Sequence, residues 1–115
     1  MTHSKVTALS EAWIASSLKE VGDLVLFDEC LDEPQIAWLV ILKILEQDLS
    51  DEQTALLAAG PMEDLLSHHG SDFIERVETE ARRNSKFNDL LGGVWKLNMT
   101  EDVWLRVQKA RSSVW

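Results

Sequence analysis

The run from Ile36 to Leu45, IAWLVILKIL, is apolar at every position except Lys43. Ten residues fall well short of the roughly 20 needed to cross a bilayer, so the run is read as a core helix. A helix that is apolar on nearly every side must be covered on nearly every side. Pro34 in its first turn, where a missing N–H costs little, and Asp32 or Glu33 as cap mark its start. We predict burial of Ile36, Leu39, Val40 and Leu42, with Trp38 among them.

The elements that cover it read as helices too. Val6, Leu9 and Trp13 recur at +3 and +4 spacing after a candidate cap at Ser4, and Ile14, Leu18 and Val21 continue the stripe to Gly22. Leu24 to Phe27 fits a strand or a helical turn. Ser50 and Gln53 have the spacing of a capping box, opening a helix with Leu56 and Leu57 that is expected to stop at Gly60-Pro61. A short helix from Met62 to His69, closed by Gly70, follows. Ser71 or Asp72 caps another, with Phe73, Ile74, Val77 and Ala81 inward and Arg76–Glu80 and Glu78–Arg82 as charge pairs outside. Ser85 starts a short helix ended by Gly92-Gly93. Thr100 caps the last, with Val103, Trp104, Val107 and Ala110 inward. Trp95 is expected to pack its loop onto the body, and Trp115 to dock back or mark a contact. Hairpin signals are absent. The pattern predicts one all-α domain over residues 1–115, a compact bundle of six or seven short helices, with stacked helical hairpins as the alternative arrangement.

At 115 residues the chain buries roughly 65% of its unfolded surface without disulfides or metal, and 45% hydrophobic content with five tryptophans argues against disorder. No signal peptide is evident at Met1-Thr-His-Ser-Lys-Val, and with the single cysteine free, a cytoplasmic location is expected.

The charge is uneven. Residues 1–72 hold 14 acidic and 3 basic side chains, net −11, whereas residues 73–115 hold 6 acidic and 8 basic, net +2. Glu20, Asp23, Asp28, Glu29, Asp32 and Glu33 follow one another with no Lys or Arg between them. One reading is a solvated face that keeps a small protein in solution. The other is a negative face that steers and docks a basic partner. Direct nucleic-acid binding is disfavoured, since phosphate contacts need clustered cations. A calcium loop would need a central Gly between alternating carboxylates, and none is there.

Chemistry-bearing groupings are few. Asp64 and His68, four apart, share a helix face, but His69 points about 100° away, so the two histidines chelate poorly. The structural alternative is a helix end, with His favoured by the helix dipole. Cys30 lies near Glu29 and Asp32, whose field raises a thiol pKa. No nucleophile elbow, phosphate loop or dinucleotide fingerprint occurs. We therefore expect no enzyme, no cofactor and no resident metal, with Asp64, His68 and His69 as the alternative centre.

Two runs are specific: Glu63-Asp-Leu-Leu-Ser-His-His-Gly70 and Leu90-Leu-Gly-Gly-Val-Trp95. With Gly60-Pro-Met, Phe73-Ile-Glu-Arg-Val and Ala81-Arg-Arg-Asn, the stretch from 60 to 111 resembles a family of small bacterial all-helical proteins with no established activity. The resemblance implies a helical, stand-alone domain and transfers no site residues. Residues 1–59 carry none.

The expected function is that of an acidic protein-binding module, most concretely an immunity or antitoxin-like inhibitor that occludes a basic partner such as a toxin enzyme. Its contact set would be Glu20, Asp23, Asp28, Glu29, Asp32 and Glu33. Alternatives are a phage-type inhibitor mimicking nucleic acid, a small metal protein or enzyme at Asp64, His68 and His69, and a structural oligomer. No membrane contact is expected.

Overall fold

The computed structural model describes residues 2–16 and 25–114. Glu20, Asp23, the apolar positions Leu18, Val21 and Leu24, and Trp115 lie outside the described residues. In chain order the helices are α1 (Thr2–Ser16), α2 (Phe27–Asp32), α3 (Pro34–Leu45), α4 (Asp51–Leu57), α5 (Glu63–Arg83), α6 (Ser85–Leu91) and α7 (Glu101–Ala110), with no strand among the described residues. The fold is all-α, as expected.

α3 is the hub. Ala37, Val40, Ile41 and Ile44 are fully buried, and Trp38 and Leu45 nearly so. α1 packs along α3, with Val6, Ser10 and Trp13 turned inward, and α2, α5 and α6 also pack against it. Leu39 is the correction: it is 44% exposed, and Ile36 and Leu42 are only half-buried. At about 100° per residue, the buried positions of α3 span an arc of roughly 160°, and Leu39 falls opposite it beside Lys43. The run is apolar all round, but its neighbours cover less than half the circle.

Local signals place most helix ends. Pro34 opens α3, the Ser50–Gln53 capping box is complete in both directions, and Thr100 accepts from the Val103 N–H. α6 begins at Ser85, as expected, and Asn84 caps it through a bond from the Phe87 N–H at 3.2 Å. Ser4 is not a cap, because α1 already begins at Thr2. Glu33 occupies the cap position of α3, but its carboxylate bonds Lys5 in α1 at 2.5 Å instead of capping.

Of two expected stops, one is not a stop and the other is a break within α5. At Gly60-Pro61 the chain continues as a π-helical turn, Ala58–Met62, into α5. Pro61 has no N–H and crowds the preceding turn; the wider turn absorbs it, and the Glu63 N–H reaches back five residues to the Ala58 carbonyl. At His69 the backbone leaves the helical region (φ −135°, ψ 24°), so α5 is two helical stretches joined by a kink where the break was expected, the second running to Arg83. Gly70 is needed for packing: a Cβ there would sit 3.0 Å from Val103 Cγ1, so α5 and α7 cross at this point.

Of the expected surface pairs, Arg76 and Glu78 bond to other helices, while Glu80 is held within α5 and its cap. Arg76 bonds Gln35 in α3 at 2.7 Å, Glu80 takes Arg83 and Asn84, and Glu78 holds Arg106 of α7 through both carboxylate oxygens, at 2.6 and 2.9 Å.

Candidate functional site

The described part of the acidic segment, residues 25–33, folds as α2 and the turn before it. Val25 is half-buried and Leu26 is in the left-handed region (φ 82°) while buried to 2%. A non-glycine residue held there costs on the order of 1–2 kcal/mol, which the packing of its side chain offsets. Cys30, on the inner side of α2, is fully buried and its thiol donates to the Pro61 carbonyl at 3.4 Å. Burial pushes that thiol up to about 12, with Asp64 and then Glu29 adding to the effect, so it is inert as a nucleophile near neutrality. The expectation named Glu29 and Asp32 as the cause; burial is the larger one, and Asp64 arrives from α5.

The outer side of α2 carries Phe27, Asp28, Asp32 and Glu33, all exposed, with Glu29 half-buried. Among the described residues no cation lies within ion-pair distance of Asp28, Glu29 or Asp32. Lys5 pairs with Glu33 and also feels Glu29, and both raise its pKa. Phe27, which directly precedes Asp28 at the start of α2, is 40% exposed. The structure thus brings together four of the six predicted contact residues, spends one of them on Lys5, and adds Phe27. The signal for Phe27 was its place directly before Asp28.

The histidines diverge. His69 is half-buried and its Nε2 lies 2.7 Å from the Leu31 carbonyl, which ties the kink of α5 to the end of α2. His68 is exposed. Both line a groove of only about 170 Å³ with Ser67, Gly70 and Thr100, below the roughly 300 Å³ where small-molecule sites begin. Among the described residues no group of three or more His, Cys, Asp or Glu could hold a metal ion.

A second grouping was not foreseen. Glu63, 8% exposed, accepts the Trp95 N–H at 3.1 Å. Burial raises its carboxyl above the usual range; the Trp95 N–H opposes this and Asp64 adds to it. Trp95 does not pack its loop inward: it is 54% exposed, its ring centroid 6.5 Å from that of half-buried Trp104. The available signal was an acidic residue between Pro61-Met62 and Leu65-Leu66, where a carboxylate needs a donor.

No described helix is long and apolar enough to cross a membrane. No curated protein and no solved structure matches the chain. A family model does, over residues 17–114, reaching well beyond the resemblance seen at 60–111 and taking in the acidic segment. The chain therefore belongs to DUF6869, a family of unknown function.

Proposed function

We propose that this protein is a non-enzymatic binding module whose α2 face docks a protein with a basic surface. The observation that carries the reading is that Asp28, Glu29 and Asp32 of α2 have no pairing cation among the described residues, on a helix whose first residue is the exposed Phe27. Unneutralised carboxylates repel one another and give the free domain nothing. Opposite a cationic surface the same charges attract, speeding encounter by about 10–10³-fold, while a half-exposed aromatic supplies the apolar anchor that interface centres favour.

The concrete version is an inhibitor of the immunity or antitoxin kind, working in the cytoplasm and covering the basic active-site cleft of a toxin enzyme. Supporting a binding role over catalysis, the Cys30 thiol is buried and raised, and the His69 ring is committed to the Leu31 carbonyl.

The test is affinity capture on immobilised wild-type chain and on Asp28→Lys/Glu29→Lys/Asp32→Lys, with association kinetics for the protein captured. The expected result is a basic protein retained by the wild type alone. Equal capture by both chains would leave α2 as merely a solvated face.

A further inference from the structure

We propose that the basic partner of α2 docks as an amphipathic helix on the α3 surface that α1 covers, displacing α1. The inference rests on the α2 reading for the partner's charge, and on the α1–α3 seam for its shape.

α1 is held more thinly than its neighbours. Side chains join the other helices to one another: Cys30 to the Pro61 carbonyl, His69 to the Leu31 carbonyl, Arg76 to Gln35, Arg106 to Glu78 and Asn88 to the Ala110 carbonyl. Among the described residues α1 has one side-chain bond to the rest of the molecule, Lys5 to Glu33, and both of its ends are exposed. α1 packs on α3 and meets the other described helices only marginally. It is also the one described helix outside the stretch that the family model matches. A helix of 15 residues is marginal on its own, so the seam with α3 is what keeps it in place.

That seam is shaped for a helix, and α1 fills it imperfectly. Val6, Ser10 and Trp13, at the i, i+4 and i+7 places, are buried, the spacing by which a helix lies in a groove. Ser10 Oγ turns back to the Thr7 carbonyl at 2.8 Å. The Trp13 indole N–H is buried with no partner, which weakens the seat. Beside Val6 a cleft of about 590 Å³ opens along Leu39 and Leu42, with Lys43 and Glu46 also lining it. Leu39 is left 44% exposed. A helix with an aliphatic residue at the Trp13 place would bring no orphan donor, and a bulkier one would cover Leu39.

α1 also shows which charge the occupant carries. Lys5, one residue before Val6, bonds Glu33 and lies in the field of Glu29. It is an internal cation at the edge of the α2 face. A basic helix on the same seat keeps that contact and gains others at Asp28 and Asp32. The tethered α1 competes at an effective concentration of about millimolar, so only a helix with such gains displaces it.

Two measurements on the full chain test this. In native-state hydrogen exchange, α1 amides should exchange through an opening that leaves α3 and α5 protected; α1 and α3 exchanging as one unit would overturn the proposal. The second follows the anisotropy of a labelled synthetic peptide of the α1 sequence, Thr2–Ser16, on wild type and on Val6→Asp, whose own α1 is loosened. Val6→Asp should bind it at least about tenfold more tightly than wild type, and a Lys5→Glu peptide should bind more weakly at about 0.05 M salt, where charges are little screened. No binding to a Val6→Asp chain with α3 and α5 still protected would overturn the seat and leave the α2 reading untouched. Equal binding of the two peptides would overturn the basic character of the occupant, and with it the α2 reading. Should Val6→Asp lose the fold, Lys5→Glu in the full chain, at an exposed position, must quicken exchange in α1 and not in α5; unchanged exchange in α1 would overturn the proposal.

Discussion

Phe27 and Trp95 are both aromatic, both roughly half exposed, and both flanked by charge, yet their surroundings are built on opposite terms. Around Phe27 the carboxylates of Asp28, Glu29 and Asp32 lack matching cations among the described residues, and α2 is secured from beneath by Cys30, by Leu26 and by the His69–Leu31 bond. Around Trp95 the neighbouring Lys96 is paired with Glu101, and the backbone itself is bound by Glu63, Arg111 and Ser67. Under the proposed function, a basic partner would be steered to the first face from a distance and lose that steering with salt, whereas an apolar contact at Trp95 would depend little on salt. Net charge is thus a poor description of this molecule, because one half carries −11 and the other +2.

Both faces rest on the α3 core, and the largest effects should appear there. Ile41→Ala, at a fully buried position, should cost about 2–5 kcal/mol through the cavity it leaves. Leu39→Ala, two residues away but 44% exposed, should cost well under about 1.5 kcal/mol, since its side chain keeps much of its hydration. Denaturant titration of the pair checks this. Equal losses would mean that Leu39 is covered in solution, by a partner or a second copy.

A smaller effect separates the faces. His69→Ala removes the ring that meets the Leu31 carbonyl and should cost about 0.5–1.5 kcal/mol. Hydrogen exchange should quicken in α2 and leave residues 94–98 unchanged. Faster exchange in both places would mean that they are not independent.

The smallest effect concerns acid. The Arg106 guanidinium holds the Glu78 carboxyl below the usual carboxylate range. In Glu80 burial acts to raise the pKa, but the bonds from Asn84 and Arg83 outweigh it and lower it. A folded pKa below the unfolded one adds stability above the unfolded value, and that stability is lost as pH falls through the folded one. Glu63, raised by burial, has the opposite sign. Glu78→Gln should therefore lower stability slightly at neutral pH and flatten its decline in acid, the two proteins converging at the acid end. Thermal melts across pH check it; parallel curves would show that the Glu78–Arg106 pair is inert.

What could be read from sequence depended on distance along the chain. The Ser50–Gln53 box, Pro34 and Thr100 act within one helical turn, so their residue types suffice. Gly60-Pro61 reads as a stop because, alone, it is one; the π-helical turn that carries the chain through it, and the close approach of Val103 to Gly70 at the kink, belong to tertiary packing. Leu39 was misjudged because hydrophobicity does not say how many neighbours arrive. In the candidate site, the carboxylates of α2 were plain from composition. The Lys5–Glu33 pair spans 28 residues and the Glu63–Trp95 bond spans 32, and no local pattern announces either.

The central claim is that α2, and not the Trp95 face, recognises a basic partner. Its most direct test is the association rate with the captured partner as a function of ionic strength. Wild type, the Asp28→Lys/Glu29→Lys/Asp32→Lys chain and Trp95→Ala would be compared. The account predicts a wild-type rate that falls steeply with salt, a charge-reversed chain at least about tenfold slower, and a Trp95→Ala chain that tracks the wild type. A flat wild-type profile, or a rate lost in Trp95→Ala and kept in the charge-reversed chain, would contradict it.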